Sequence, residues 1–350
     1  MSVQETHTYL KARTAVMADR LYSPQLFDDL LQLSLEEVCA QSNLSELLDT
    51  GADESKLNLA VERALINTLM HELSILMRPL VGPARDILVH WTRKYELYNL
   101  KALIRGKLLG LSYDELRGNL HELPALISLP HENLLRTENI AELLRQLEVG
   151  QYGDIAIQAR KVYEDKNEPF SLDATIDQRY YAGLLKRARL IPAEDRAPLM
   201  QLIGAVIDQQ NLLWLLRYRF NYELSPSETY YLLLPFGHHL QRENLVALVN
   251  LNNTQQVMES LPESMLADLG QLLSHMDIEK TLEAMTAQQA QKSLKYSTSA
   301  ITRSLAYLIL REMDLGRLFA IIQGKVLNLD VALIREAAGL DSLQTETAHV

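Results

Sequence analysis

The chain has 350 residues, which is long enough for two or three domains with buried cores. An apolar fraction of 47% and a charged fraction of 23% are typical of a globular protein and exclude a disordered one. The formal net charge is −11 and no concentrated basic face is seen, which argues against nucleic-acid binding. No apolar run reaches the roughly 18 uncharged residues that a membrane-spanning helix needs, so no direct membrane span is expected.

The N-terminal part of the chain reads as a series of helices. An amphipathic opening helix ends before Ser23-Pro24, and Ser34 with Glu37 has the form of a capping box. A long helix is predicted from Asn58 to Met77, and the next from Ala84 to Lys107, where Gly110 ends it.

The remainder of the chain continues this pattern. Ile191-Pro192 and Ala197-Pro198 are predicted to flank a loop before a further long helix, and 341–350 is expected to form a frayed tail. No convincing alternation of β-branched and polar residues is present. The sequence therefore predicts an all-α fold.

One helical pattern occurs three times. Asn99 and Asn211 lie 112 positions apart, while the Gly-Lys pairs at Gly106 and Gly324 lie 218 apart, close to twice that interval. Apolar residues at offsets of 0, 3, 4 and 8 share one helix face and predict a core helix in each copy. These residues are Leu100, Leu103, Ile104 and Leu108; Leu212, Leu215, Leu216 and Phe220; and Leu318, Ile321, Ile322 and Val326.

A second motif, here called the start signature, recurs at nearly the same interval. It is Leu21-Tyr22-Ser23-Pro24, then Leu129-Pro130, then Leu234-Pro235. Two motifs in the same order and spacing indicate a threefold internal repeat. We therefore predict three helical units, 1–122, 123–234 and 235–350.

No catalytic pattern emerges. Gly106-Lys107 and Gly324-Lys325 lack the first glycine of a phosphate-binding loop. The pairs His71-Glu72, His121-Glu122 and His131-Glu132 lack the second histidine of a zinc protease and are expected to be surface pairs. No catalytic residue, metal ligand or cofactor is therefore predicted. A structural or adaptor protein is therefore favoured over an enzyme. A deep pocket with convergent ionisable groups would indicate an enzyme instead.

Basic residues recur near the end of each core helix. Arg105 and Lys107 align with Arg217 and Arg219, and the third copy has Gln323 and Lys325. Interaction with the helix dipole is one explanation, and docking of a partner by three similar units is the other. The aromatic residues between Tyr218 and Phe236 are explained either by core packing or by an interface with a partner. The residues proposed to bind a partner are Arg105, Lys107, Arg217, Arg219, Lys325, Tyr218 and Phe236.

A resemblance to a known family rests on motifs spread over almost the whole chain. They are Tyr9-x-x-x-Arg13-x-x-x-Met17, Asn99-Leu100 with Arg105, Asp177-x-x-Tyr180-Tyr181, Asp208-x-x-Asn211 with Arg217, Leu234-Pro235-x-Gly237, Arg311-Glu312-Met313 and Ile321 to Lys325. In these residues the chain resembles the C subunit of the A/V-type ATPases and ATP synthases, known in eukaryotes as the d subunit. It departs from the family at Thr50-Gly51, where a tyrosine often follows the threonine, and at Arg317, which replaces the repeated asparagine.

The resemblance implies a fold and a role. The expected architecture is three similar helical-bundle domains arranged with pseudo-threefold symmetry as a funnel around a central cavity. The expected role is a non-catalytic socket, without nucleotide, at the cytoplasmic face of the membrane. Its partners would be the central-stalk shaft subunits and the membrane rotor ring of proteolipid subunits. An all-helical adaptor that binds an unrelated soluble partner is the alternative.

Overall fold

The computed structural model of the chain describes residues 3–48, 54–166, 169–269 and 278–340. Within these ranges the chain is helical and forms no strand, so the all-α prediction is confirmed. The α-helices, numbered in chain order, and the π-helix that continues α12 are α1 (Val3–Ala18), α2 (Pro24–Gln32), α3 (Leu35–Gln41), α4 (Ser45–Leu48), α5 (Glu54–Met77), α6 (Gly82–Leu108), α7 (Tyr113–Gly118), α8 (His131–Leu135), α9 (Ile140–Gln146), α10 (Gly153–Lys166), α11 (Pro169–Ala188), α12 (Ala193–Leu216), the π-helix (Arg217–Asn221), α13 (Pro226–Leu232), α14 (Arg242–Val249), α15 (Thr254–Glu259), α16 (Glu263–Leu269), α17 (Ile278–Tyr296), α18 (Ala300–Val326) and α19 (Val331–Ala337).

Local sequence explains many of the helix boundaries. The capping box predicted at Ser34 and Glu37 is formed at the start of α3. Gly110 takes a φ of 69° immediately beyond α6, in the left-handed region that glycine enters at least cost, and the helix ends there as predicted.

Two local predictions are wrong. Ala197-Pro198 lies within α12 instead of in a loop. Pro198 is the sixth residue of α12, so it removes the hydrogen bond to the carbonyl of Glu194, and the remaining hydrogen bonds of the 24-residue helix compensate for that loss. Leu108, predicted to share the buried face of α6, is 43% exposed because α6 ends at that residue.

The described chain divides into two compact units. Unit 1 comprises 1–80, 197–205 and 263–350, and unit 2 comprises 81–196 and 206–262. The division into 1–122, 123–234 and 235–350 and the funnel arrangement remain predictions. The departure noted at Thr50-Gly51 and the tail expected at 341–350 lie outside the described residues.

Unit 1 is organised around α18, which packs against α1, α5, α17 and α19. Leu318, Ile321 and Ile322 are buried as predicted. A buried polar network crosses this core: the hydroxyl of Tyr307 donates to Glu72 Oε2 at 2.6 Å, and Arg311 Nε lies 3.3 Å from the same oxygen. The prediction that Glu72 belongs to a surface pair is therefore wrong. Glu72 is buried, and its hydrogen bonds with Tyr307 and Arg311 compensate for the loss of water.

Unit 2 is built on α6 and α11, with α10 packed against α11 and α9 packed against α10. Leu100, Leu103 and Ile104 are fully buried in its hydrophobic core. His121 is also buried, which corrects its prediction as a surface residue. Among the helices of the described ranges, none is long and apolar enough to cross a membrane.

Candidate partner-binding site

The cation near the end of each core helix is hydrogen-bonded to the main chain. Lys107, Arg219 and Lys325 occupy equivalent positions at the ends of α6, the π-helix and α18. The acceptors are the carbonyl oxygens of Leu135 and Thr137 for Lys107, of Val249 and Leu251 for Arg219, and of Leu31 and Leu33 for Lys325. Partial burial lowers the pKa of both lysine ammonium groups. All three cations thus fix a segment of their own unit.

An acidic residue precedes each of these cations by eleven positions. Glu96, Asp208 and Asp314 are buried, and each accepts hydrogen bonds from main-chain amides. The donors are the amide of Leu129 to Glu96 at 2.7 Å, of His239 and Leu240 to Asp208 at 2.6 and 2.9 Å, and of Tyr22 to Asp314 at 2.8 Å. Burial raises the pKa of both Asp208 and Asp314 to about 6, against the opposing effect of these hydrogen bonds.

The repeated asparagine bridges both main-chain groups of one residue. Asn99 donates through Nδ2 to the carbonyl of His121 and accepts from its amide, both at 2.9 Å. Asn211 does the same with Leu234, at 2.7 and 2.9 Å. Arg317, at the third position, instead lies 3.4 Å from Glu283. The first two core helices therefore share a connection that the third replaces with an ion pair.

These hydrogen bonds join the two repeated motifs to each other. The acid of α6 holds the start signature at Leu129, Asn211 of α12 holds the one at Leu234, and Asp314 of α18 holds the one at Tyr22. The core helix of each predicted repeat thus contacts the signature that opens the next one, and the last contacts the first. In unit 1, this contact joins residues 292 positions apart.

The glycines of the first and third copies allow close packing. A Cβ on Gly106 would collide with Leu116 of α7, and one on Gly324 would lie 2.6 Å from Cγ1 of Ile334 in α19. The second copy has Tyr218 at this position, within the π-helix. The hydrogen bonds of a π-helix span five residues, one more than those of an α-helix. Here it accommodates an additional residue, because Ser112 follows Lys107 by five positions and Asp330 follows Lys325 by five, whereas Ser225 follows Arg219 by six.

Tyr218 packs into an aromatic cluster in unit 2. Its ring centroid lies 5.1 Å from that of Phe170 and 6.4 Å from those of Trp214 and Tyr222. Tyr218 is buried, and burial raises the pKa of its hydroxyl. Tyr222 is 51% exposed, so the cluster reaches the surface.

Exposed charges lie beside this cluster. Arg105 is half exposed, and its Nε is 3.7 Å from Asp173 of α11. Lys101, one turn earlier in α6, pairs with Asp177 at 2.7 Å. Arg217 is exposed at the start of the π-helix. Desolvation raises the pKa of Asp173 despite the neighbouring Lys101 and Arg105.

The structure brings together some of the predicted site residues. Arg105 pairs with Asp173, and burial together with the charges of Asp173 and Asp177 raises the pKa of Tyr218. Arg217 also acts on Tyr218, whose pKa its positive charge lowers. Lys107, Arg219 and Lys325 are instead engaged by carbonyl groups. Phe236 is 49% exposed and lines a cavity whose wall includes none of the charged residues named above.

Sequence reasoning missed Lys101, Asp173 and Asp177 as members of this charged surface. A signal existed, since Lys101 and Arg105 are four positions apart and so are Asp173 and Asp177, which places each pair on one helix face. Among the residues that the structure describes, no group of three or more histidine, cysteine, aspartate or glutamate side chains is arranged to hold a metal ion.

Comparison with known proteins covers most of the chain in a single match. The family described as ATP synthase (C/AC39) subunit matches residues 10–337. The chain belongs to this family. It is therefore a non-catalytic subunit of an ATPase complex and associates with other subunits of that complex.

Individual relatives agree over nearly the full length. The chain is 22% identical to the C subunit of the A-type ATP synthase of Methanocaldococcus jannaschii over 341 residues, covering 94% of this chain and 85% of the relative. It is 22% identical to the corresponding protein of Methanosarcina mazei, covering 94% and 92%. It is 23% identical to that of Methanococcoides burtonii, covering 94% and 93%. The family resemblance stated from the sequence motifs is thereby confirmed.

Proposed function

We propose that this member of the ATP synthase (C/AC39) family is the coupling socket of a rotary A/V-type ATPase. In this role it joins the central-stalk shaft to the membrane rotor ring of proteolipid subunits and transmits torque for proton or sodium transport. It acts as a peripheral component at the cytoplasmic face of the membrane. Membership of the family and the buried helical cores of the two units support this role, since close-packed helices resist compression.

One observation carries the proposal: each core helix ends in exposed apolar side chains beyond its partly buried cation. Leu109 is 77% exposed after Lys107, Tyr222 is 51% exposed after Arg219, and Leu327 is 46% exposed after Lys325. Exposed apolar groups beside charged ones are typical of protein interfaces. Each of these helix ends therefore offers an apolar contact to a partner subunit such as the shaft.

The five basic residues among the seven candidates divide into two roles under this proposal. Arg105 and Arg217 contact the shaft directly, because both are exposed at the surface. Lys107 and Arg219 position segments that follow their helices, and Lys325 positions the segment at Leu31 and Leu33, because these cationic groups already bind carbonyl oxygens. Charges at such an interface steer the partner and set its register more than they add affinity.

The test is binding of the purified chain to the central-stalk subunits of its own complex. We expect the double variant Arg105→Glu, Arg217→Glu to bind the shaft at least tenfold more weakly while its helical content and unfolding midpoint stay near those of the wild type. The matched control, Arg145→Glu with Arg242→Glu, reverses two exposed cations of the same unit outside this surface.

Unchanged shaft affinity in the folded double variant would remove Arg105 and Arg217 from the interface. Failure of the wild-type chain to bind either shaft or ring subunits would overturn the coupling role itself.

A further inference from the structure

A cavity of about 390 Å³ opens in unit 2, beside the start signature at Leu234-Pro235. Helix α11 lines one side of it with Arg179 and Lys186, and Arg189 follows directly after the helix. Tyr231, Pro235 and Phe236 line the other side. The volume falls in the range of about 300–1,000 Å³ that is usual for ligand pockets. It is large enough for a few side chains of a partner.

Hydrogen bonds fix the wall opposite α11. Gln178 Nε2 donates to the carbonyl of Tyr231 at 2.8 Å. Asn211 binds both main-chain groups of Leu234, at 2.7 and 2.9 Å. A wall that is already held in place loses little conformational freedom when a partner docks, which favours binding.

The cavity is cationic in a chain that is strongly anionic. Its lining contains three basic side chains and no aspartate or glutamate, whereas the whole chain carries a net charge of −11. Three cations with no carboxylate beside them in the lining favour an anionic group in the cavity, because opposite charges attract.

The cavity rim is aromatic and apolar. Tyr231 is 78% exposed, and Phe236 is 49% exposed, with the guanidinium carbon of Arg189 5.0 Å from its ring centroid. The main-chain carbonyls of Tyr231 and Leu234 in this wall are occupied by Gln178 and Asn211. Free phosphate sites are usually lined by main-chain amides, but the amides of Leu233, Leu234 and Phe236 in this wall are already hydrogen-bonded, to Tyr230, Asn211 and Leu234. Cations with exposed aromatic rings suit an acidic segment that also carries apolar side chains.

We propose that this cavity binds an acidic, aromatic-containing segment of a partner polypeptide. The carboxylates of that segment pair with Lys186, Arg189 and Arg179, and an apolar or aromatic side chain packs against Tyr231 and Phe236. This site is separate from the shaft contact proposed above, because none of its lining residues belongs to the Arg105–Arg217 surface. It does not require the coupling role.

The test is a fluorescence-anisotropy titration of the full-length chain with a labelled peptide that alternates glutamate with phenylalanine and leucine. The same peptide with lysine in place of glutamate is the reversed-charge probe. We expect saturable binding of the acidic peptide and at least tenfold weaker binding of the lysine peptide. Lys186→Glu with Arg189→Glu is expected to weaken binding of the acidic peptide at least tenfold, and Phe236→Ala several-fold.

Arg145→Glu is the matched control, since it reverses an exposed cation of the same unit outside the cavity. The affinity of this variant for the acidic peptide should stay within twofold of that of the wild type. Equal weakening by Arg145→Glu would show general charge attraction and overturn the proposal. Displacement of the acidic peptide by millimolar inorganic phosphate, or preference for anionic lipid vesicles, would assign the cavity to a free or lipid phosphate and overturn it as well. Shaft binding measured on the same variants is expected to remain at wild-type strength, so failure of this site and failure of the coupling role are distinguishable.

Discussion

The ends of α6 and α12 carry the same polar scaffold but finish differently. In both, an acid, an asparagine and a cation hold the segment that follows the helix. Helix α6 finishes as a regular helix with Gly106 against α7, whereas α12 widens into the π-helix and places Tyr218 in an aromatic cluster. The comparison shows that hydrogen bonds at fixed positions keep a repeat in register even when one copy contains an additional residue.

The largest expected effect comes from changing the step, meaning the number of positions from the cation to the next helix cap, Ser112 after α6 and Ser225 after the π-helix. Deleting Leu109 shortens the five-residue step between Lys107 and Ser112 to four, so the carbonyl contacts and the Ser112 capping box cannot both form. We expect a loss of more than about 3 kcal/mol of unfolding free energy, from a charge-assisted hydrogen bond and a helix cap together. Urea denaturation followed by circular dichroism measures this loss.

Deleting the exposed Asn221 is the matched change in the other helix, because it restores the five-residue step there. Its cost is expected to stay within about 1 kcal/mol, the range of ordinary surface changes. Equal costs for the two deletions would contradict the view that the π-helix accommodates the additional residue.

Loss of the asparagine bridge is expected to have the next largest effect, of similar size in α6 and α12. Asn99→Ala or Asn211→Ala leaves one buried amide and one buried carbonyl without a partner, which we expect to cost about 2–4 kcal/mol in each case. Asn133→Ala, at an exposed site in α8, is the control and should change stability by less than about 0.5 kcal/mol. A loss at one bridge only would indicate that the two helix ends are not equivalent.

Close packing at the glycine distinguishes the regular helix end from the π-helix. Gly324→Ala places a methyl group against the stiff, branched side chain of Ile334, and we expect it to destabilise the protein by about 1–3 kcal/mol. Gly316→Ala lies in the same helix with no atom near the new methyl group, and should stabilise the protein by about 0.5–1 kcal/mol. Thermal unfolding of the two variants decides the matter, and a shift of the same sign in both would contradict the close contact.

The last effect is a dependence on pH, and it is the smallest when counted per pH unit and per group. The pKa of Asp208 and of Asp314 is raised from 3.8 to about 6, so between these values the folded chain binds protons more strongly than the unfolded chain. Their contribution to stability is therefore complete below about pH 4 and is lost as the pH rises through 6. Asp208→Asn with Asp314→Asn should remove a negative slope of about 1 kcal/mol per pH unit from each group.

The measurement is the unfolding free energy of wild type and double variant at several values between pH 4 and 7. The variant loses an acceptor at each site and is less stable at every pH, so the quantity to compare is the slope of unfolding free energy against pH. Parallel pH profiles would show that the two carboxyl groups titrate normally.

Much of the local structure followed from the sequence. The apolar faces at Leu100 to Ile104 and Leu318 to Ile322, the cap at Ser34 and the stop at Gly110 depend on neighbouring residues along one helix, and all were found. Burial of Glu72 and His121 was missed because it depends on partners that are distant in the chain. Glu72 is compensated by Tyr307 and Arg311, which lie more than two hundred positions away.

The candidate site was only partly predictable. The basic residues were found from the repeat, but Lys107, Arg219 and Lys325 contact carbonyl groups of loops, and nothing in the helical pattern specifies what a cation at a helix end will meet. Asp173 and Asp177 join Arg105 and Lys101 because α11 packs on α6, which is a tertiary contact.

Helix period and capping are local properties of a chain, so the order of amino acids was enough to specify the helical class, the repeated core helix and the recurring start signature. Which signature each core helix holds depended on folding in three dimensions. Asp314 binds the amide of Tyr22 although 292 positions separate them, since a hydrogen bond depends on distance in space and not on order along the chain. Folding also turned an additional residue near Tyr218 into a π-helix, because the contacts on both sides of it were already fixed.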